Sequence, residues 1–203
     1  MSPRDSYHHG NLRAELIEAA LAEARRSGPD AIGLRSITRQ LRVSPNATYR
    51  HFADRQALIA AVAQAIQGKM AEEMRMRMPP KDERAPAHSR LRAVGLGYIA
   101  FARAEPGWFD TAFFGQPDDP AVTMDLVSVS VPAPFTLLIG ALDDMVDAGE
   151  LSRRRREGAE WACWSSVHGF AQLVLHGPLS SQSDEVVALL AERVVDDIIA
   201  GIR

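Results

Sequence analysis

Two short helices joined by a tight turn are predicted by the stretch Arg35-Ser-Ile-Thr-Arg-Gln-Leu-Arg-Val-Ser-Pro-Asn-Ala-Thr-Tyr-Arg-His-Phe52. In its first half, Ile37 and Leu41 lie four residues apart and therefore share one helix face. Ser44 followed by Pro45 is typical of an N-cap and a first helical position, where the missing N–H of proline leaves no donor unsatisfied. The spacing indicates a helix-turn-helix whose second helix starts near Pro45.

The second helix carries side chains that suit DNA. Thr48 and Phe52 lie four residues apart and are expected to face inward, which leaves the remaining arc exposed. Arginine and asparagine match the hydrogen-bonding edges of guanine and adenine, whereas tyrosine and histidine suit phosphate oxygens. The residues expected to contact bases are Arg35, Asn46, Ala47 and Arg50. Those expected to contact phosphates are Thr38, Tyr49 and His51, with Pro45 at the start of the same surface.

This part of the chain resembles the DNA-binding domain of the tetracycline-repressor (TetR) family. The resemblance runs from Ile37 to Leu58 and rests on Val43-Ser44-Pro45, Tyr49-Arg50-His51-Phe52 and Asp54-Arg55-Gln56-Ala57-Leu58. The opening Tyr7-His8-His9-Gly10-Asn11-Leu12-Arg13 is also common in one branch of the family. The resemblance implies a DNA-binding regulator.

One more phosphate contact follows from the resemblance, and two positions depart from the family's pattern. The resemblance implies a basic contact at Arg55, for which a solvated surface arginine is the alternative. Arg42 stands where the family usually has glycine, and Asn46 where a small residue is frequent. A left-handed backbone at Arg42 would strain the turn, whereas a different helix end would not.

The charge of the chain is distributed unevenly. The net charge is -3, yet residues 1–52 contain eight arginines and five acidic side chains, so 8 - 5 = +3 and the remainder carries -6. A basic module on an acidic body concentrates the attraction for phosphates at one end.

An all-α protein in two parts is predicted. Residues 1–54 form the helix-turn-helix domain, a linking helix spans about 54–78, and residues 79–203 form a helical ligand-binding and dimerisation domain. Residues 1–10 are either an arm from which Arg4 reaches the DNA or an untethered tail. Asn11 is expected to cap the first helix. The proline-containing stretch from Met78 to His88 is predicted to be a linker.

The second part has more aromatic and methionine side chains than the packing of its helices needs. An apolar pocket with a few polar groups is the usual form of a ligand site, and the family resemblance implies such a pocket here. Trp164 with His168-Gly169 also resembles the Trp-His-Gly signature of one class of the family's C-terminal domains. For each side chain, core packing is the alternative to ligand contact. The candidate lining residues are Tyr98, Phe101, Trp108, Phe109, Phe113, Phe135, Met145, Trp161, Trp164 and His168.

The last helix indicates a homodimer. Its apolar side chains between Val186 and Ile202 form a face too wide for one partner, so a second subunit can cover part of it. The resemblance implies a four-helix interface made from the last two helices of each chain. Two recognition helices about 34 Å apart would then read a palindrome. The basic run Arg153–Arg156 is interpreted as a solvated face or a donor of salt bridges between subunits.

Other classes of protein find little support. The sequence shows no metal-ligand spacing, no glycine-rich phosphate loop and no Ser-His-Asp arrangement, so we expect no enzyme, cofactor or metal. No signal peptide or membrane span is recognisable and Cys163 is the single cysteine, so a cytoplasmic location is expected. The sequence predicts a repressor that leaves its operator when a small hydrophobic or aromatic molecule binds. A regulator controlled by a protein partner, or a constitutive one, is the alternative.

Overall fold

The computed structural model describes residues 11–82, 85–115 and 131–203. Within these ranges the regular elements are all helical, which confirms the predicted fold class. The α-helices are α1 (Leu12–Ser27), α2 (Leu34–Gln40), α3 (Pro45–Tyr49), α4 (Arg55–Arg77), α5 (His88–Ala104), α6 (Pro106–Phe114), α7 (Ala133–Asp147), α8 (Arg153–Arg156), α9 (Ala159–Leu175) and α10 (Asp184–Ile202). None of the helices in the described ranges combines the length and apolarity of a membrane span. The predicted arm, residues 1–10, lies outside them.

The chain forms two compact units. The first takes its described residues from Met1–Ile66 and Glu105–Asp125, and the second from Gln67–Ala104 and Leu126–Arg203. The division therefore falls within α4 and again between α5 and α6, whereas the sequence suggested boundaries at residues 54 and 79. The difference arises because α6 packs against α1 in the first unit.

The core of the first unit is built from one face of α1 and the helix-turn-helix. Leu16, Ala20 and Ala24 recur at helical spacing and are fully buried, together with Ile37 of α2. Burial of this apolar face, rather than the intrinsic helix propensity of seven- and five-residue helices, stabilises α2 and α3. Asn11 occupies the N-cap position of α1, as predicted, although its side chain makes no capping hydrogen bond.

The second unit is a bundle of α5, α7, α9 and α10 with the C-terminal part of α4. A Cβ atom at Gly97 of α5 would lie 3.2 Å from Cγ of Met74, so glycine lets these two helices approach closely.

The basic run of α8 is tied within its own chain. Arg156 pairs with Asp143, and Arg155 donates to the carbonyl oxygen of Gly201.

The stretch that was predicted to be a linker is held against the second unit. Glu150 accepts hydrogen bonds from the backbone N–H groups of Ala87 and His88, at 2.6 and 3.2 Å. Lys81 forms an ion pair with Asp144 of α7 at 2.6 Å. The described residues of this stretch before His88 lack regular structure, as the prolines predict. These contacts nevertheless hold them against the bundle, so the stretch is not a free connection.

Candidate DNA-binding surface and ligand cavity

The helix-turn-helix has the geometry that its sequence signals predict. Oγ of Ser44 accepts a hydrogen bond from the backbone N–H of Ala47 at 3.2 Å, which confirms the N-cap of α3. Thr48 is fully buried, and its hydroxyl is hydrogen-bonded to that of Thr38 at 3.0 Å. Phe52 is also buried. The inner face of α3 is thereby fixed, and its opposite face is presented to solvent.

The turn between α2 and α3 contains a left-handed arginine. Arg42 has a φ of 55° and is the one non-glycine residue with positive φ among the described residues. Its backbone N–H donates to the carbonyl oxygen of Arg39, and that of Val43 donates to Thr38, both at 3.2 Å. This conformation costs about 1 kcal/mol relative to glycine, because Cβ crowds the neighbouring carbonyl oxygen. Of the two ways in which α2 could end, the structure adopts the strained one.

Most of the predicted DNA contacts are exposed to solvent. Arg35, Asn46, Arg50 and His51 are exposed, as are Pro45 and Tyr49, while Ala47 is half-buried. An open groove between α2 and α3 brings some of these residues together. Its lining is Leu34, Arg35, Thr38, Arg39, Val43, Pro45 and Tyr49. Arg39 was not singled out from the sequence, although its position four residues after Arg35 places both side chains on one face of α2.

Two of the predicted phosphate contacts have other partners in the structure. The hydroxyl of Thr38 donates to the carbonyl oxygen of Leu34 at 2.6 Å, and the residue is buried. Arg55 donates to the carbonyl oxygens of Ile32 and Pro29, each at 2.7 Å. Thr38 thereby joins α2 to α3, and Arg55 joins α4 to the segment before α2. Contact of either residue with phosphate stays a prediction. The family pattern located Arg55 but could not show which way its guanidinium turns.

Three candidate pocket residues pack within the first unit. The indole N–H of Trp108 donates to the carbonyl oxygen of Leu21 at 2.8 Å, and the guanidinium of Arg25 lies 5.0 Å from a Trp108 ring centroid. Arg25 also makes a bidentate ion pair with Glu105. Phe109 is fully buried with its ring 4.9 Å from that of Phe113. Since α6 packs on α1, we no longer propose Trp108, Phe109 and Phe113 as lining residues.

A small apolar cavity, partly open to solvent, lies in the second unit among α4, α5, α7, α9 and α10. Its internal space is about 20 Å³, enough for one water molecule. The lining residues are Met74, Leu91, Val94, Gly95, Tyr98, Pro134, Leu138, Cys163, Trp164, Val167, Val195, Ile198 and Ile199. Burial raises the pKa of the Cys163 thiol to about 11, with a smaller contribution from Glu160, so this cysteine is protonated at neutral pH.

An aromatic cluster with one polar pair borders this cavity. The hydroxyl of Tyr98 and Nδ1 of His168 are hydrogen-bonded at 2.7 Å. Trp164 stacks on His168 with an interplanar angle of 11° and meets Tyr98 edge-on at 5.0 Å. Burial raises the pKa of Tyr98 and lowers the pKa of His168, so both side chains are neutral at pH 7.

The remaining candidates lie around this cluster without lining the cavity. The ring of Phe135 is 5.3 Å from Trp164 and 5.4 Å from Trp161. Phe101 and Met145 are fully buried in the bundle core. Of the ten candidates, only Tyr98 and Trp164 line the cavity itself. In the described residues, no group of His, Cys, Asp and Glu side chains is arranged to hold a metal ion.

Comparison with known proteins gives two family matches. Residues 16–62 match "Bacterial regulatory proteins, tetR family", and residues 91–198 match "Tetracyclin repressor-like, C-terminal domain". A curated relative, the uncharacterized HTH-type transcriptional regulator YobS of Bacillus subtilis (strain 168), is 22% identical over 93% of this chain and 90% of its own. Neither family match distinguishes the Trp-His-Gly subtype, which stays a prediction.

Solved structures share the fold over nearly the whole chain. A protein with unknown function from Rhodococcus sp. RHA1 aligns with a TM-score of 0.76 and 24% identity, covering 98% of both chains. The transcriptional regulator FadR from Bacillus subtilis, in complex with stearoyl-CoA, aligns with a TM-score of 0.65 and 14% identity over 94% of this chain and 99% of its own. The two family matches cover both the helix-turn-helix and more than half of the chain beyond it. This chain therefore belongs to the TetR family of bacterial regulators.

Proposed function

We propose that the protein is a homodimeric repressor that binds a palindromic operator and leaves it when a small neutral ligand enters the second unit. The observation that carries the DNA-binding role is the exposed surface of α2 and α3. Arg35, Asn46 and Arg50 extend from short helices whose inner faces are fixed by buried contacts. Rigid placement of arginine and asparagine is what direct reading of base edges requires.

Replacement of Arg50 tests this surface. Arg50→Ala is expected to weaken binding to the upstream operator by about 1–3 kcal/mol and to relax the preference at one base pair, because a bidentate contact to guanine is lost. The measurement is a fluorescence-anisotropy titration on operator and on mixed-sequence DNA. Arg154→Ala, which removes an exposed arginine of α8, is the matched control for charge. An equal loss on both DNAs would move Arg50 to the phosphate contacts.

The dimer is proposed from apolar side chains that this chain leaves exposed on α9 and α10. Leu173 and Trp161 of α9 are exposed, as are Val186 and Leu189 of α10, and the two helices pack side by side. Leu189 has 70% of its surface accessible. Exposed apolar side chains grouped on a helical hairpin are typical of protein interfaces. A twofold axis through this face would pair two recognition helices for two half-sites.

The lining of the cavity points to an uncharged ligand. No lysine, arginine, aspartate or glutamate is among the lining residues, and the polar groups at its border are the neutral Tyr98–His168 pair. A carboxylate or ammonium buried here would lose its hydration without gaining an opposite charge. An aromatic molecule with one hydroxyl or carbonyl group would pack on Trp164 and exchange hydrogen bonds with the pair. Since the cavity holds about one water molecule, such a ligand requires it to widen.

A matched series of ligands tests this class. We expect 2-naphthol to raise the melting temperature and to release operator DNA, whereas 2-naphthoate and 2-naphthylmethylammonium do neither, because the three share one ring system and differ in charge. Tyr98→Phe should weaken a bound naphthol up to about tenfold, the value of one net hydrogen bond. Binding is read from thermal shift and from quenching of tryptophan fluorescence. Preferential binding of either charged compound would contradict the proposed class.

Coupling between ligand and DNA is proposed to run along α4. This helix belongs to both units, since its residues up to Ile66 pack in the first and those from Gln67 in the second. Met74 near its end lines the cavity and meets Gly97 closely. A ligand that widens the cavity would displace this end. It shifts the equilibrium only as far as it binds the DNA-free state more tightly than the DNA-bound state.

The small size of the cavity favours a second candidate function, a regulator without a small-molecule effector. A cavity with room for one water molecule is consistent with a packed core. Operator binding that stays intact across a broad set of neutral aromatic compounds, with no thermal shift, would favour a constitutive regulator or one controlled by a protein partner.

A further inference from the structure

We propose that Arg42, in the turn before α3, contacts the phosphate backbone of DNA. The inference rests on the DNA-binding role of the helix-turn-helix and assigns a residue that the family pattern does not supply. Two independent observations carry it. One is the backbone conformation of Arg42, and the other is the state of its side chain.

The backbone of Arg42 is one that arginine adopts at a cost. With a φ of 55°, the residue occupies the left-handed region, in which glycine is unstrained and asparagine is tolerated better than arginine. The turn is held by its surroundings, since the backbone N–H groups of Arg42 and Val43 donate to the carbonyl oxygens of Arg39 and Thr38 in α2. A long cationic side chain therefore contributes nothing that the conformation needs. Strained residues of this kind concentrate where function retains them.

The side chain of Arg42 is exposed, and no acidic partner for it occurs among the described residues. Some other arginines of the chain are engaged within it. Examples are Arg25 with Glu105, Arg55 with two carbonyl oxygens, Arg92 with Asp196 and Arg156 with Asp143. An unpaired guanidinium keeps its full charge for an external anion. Duplex DNA offers that anion as a continuous row of phosphates.

The position of Arg42 favours a phosphate over a base edge. The residue lies in the turn, three positions before Pro45 begins α3, and follows Arg35 and Arg39 of α2. In helix-turn-helix proteins the second helix enters the major groove and the first crosses the backbone. An arginine in the turn that follows α2 therefore extends the basic surface of that helix along the strand.

Three substitutions at this position separate charge from strain. Arg42→Lys keeps both the charge and the backbone strain of a non-glycine residue. Arg42→Gln removes the charge alone, and Arg42→Gly removes the charge and relieves the strain. Arg154→Gln changes the net charge equally at a distant helix and serves as control. The probe is a fluorescein-labelled, mixed-sequence DNA duplex, titrated at several salt concentrations. The melting temperature of every variant is measured in parallel.

We expect the slope of log Kd against log salt to fall by about 0.9 per bound chain in Arg42→Gln and Arg42→Gly. The affinity gap to the wild type should then widen about eightfold per chain for each tenfold dilution of salt. Arg42→Lys should keep the wild-type slope, and Arg154→Gln should not change it. Arg42→Gly should melt above Arg42→Gln although both lose DNA affinity, a combination that a purely structural residue would not produce.

An unchanged slope in Arg42→Gln, with tight DNA binding by the wild type, would overturn the assignment of Arg42 while leaving the DNA-binding role intact. A wild type that binds neither this duplex nor its own upstream DNA would overturn both. A slope that falls equally in Arg154→Gln would show a general effect of net charge and would also overturn the assignment.

Discussion

Gly107→Ala is expected to lower the stability of the first unit by about 1–3 kcal/mol or more, because there is no room for a methyl group. A Cβ atom at Gly107 would lie 2.8 Å from the carbonyl oxygen of Arg25 and closer still to that of Ala24. Both oxygens belong to the backbone at the end of α1, so no side-chain rotation can relieve the overlap. Either α6 moves away from α1 or the unit unfolds more readily.

The measurement is thermal unfolding of the whole chain, followed by circular dichroism, together with DNA affinity at a temperature where the variant is folded. Gly140→Ala is the matched control, since nothing lies within 4 Å of the corresponding Cβ in α7. Alanine there should be neutral or stabilising by roughly 0.5–1 kcal/mol, because glycine in a helix interior loses more conformational entropy on folding. Equal melting temperatures for the two variants would show that α6 does not depend on close approach to α1.

The helix-turn-helix was predictable because its signals are local. Ser44 and Pro45 mark the start of α3 by chemistry that acts within three residues, and the hydrogen bond from Ala47 to Ser44 realises it. The spacing of Thr48 and Phe52 likewise determines which face of α3 is buried. Arg42 shows the limit of this reasoning. Two ends of α2 are compatible with its sequence, and the hydrogen bonds of the turn select the left-handed one.

Partners far apart in the chain could not be predicted. The aromatic residues of α6 indicated burial, but nothing in their spacing showed that α1 would cover Trp108. Tyr98 and His168 are 70 positions apart, and only the packing of α5 against α9 joins them. Arg55 has the charge for a phosphate contact, whereas the direction of its side chain depends on the carbonyl oxygens of Pro29 and Ile32, in and next to a short 3-10 helix before α2. Composition and periodicity indicate that a side chain is buried, whereas the topology determines which element it packs against.

Leu189→Glu is expected to weaken operator binding by a factor of about 100 to 10,000 through loss of the dimer. Leu189 has 70% of its surface accessible in the single chain and lies one turn beyond the exposed Val186 on α10. In a twofold interface each subunit would contribute one carboxylate at this position, and both would be buried without a partner of opposite charge. Two separate chains would then bind the half-sites without the effective concentration that the dimer provides.

Sedimentation at micromolar concentration measures the change in mass, and titration of operator DNA measures the change in affinity. Met76→Glu is the matched control, because Met76 is an exposed apolar side chain of α4, away from the hairpin of α9 and α10 in the sequence. It should leave both mass and affinity unchanged. Because the substitution lies in the second unit and the DNA contacts in the first, a monomeric Leu189→Glu with intact folding would attribute the loss to dimerisation alone. A variant that stays dimeric and binds the operator normally would place the interface elsewhere, and the palindromic arrangement of the recognition helices would then need another basis.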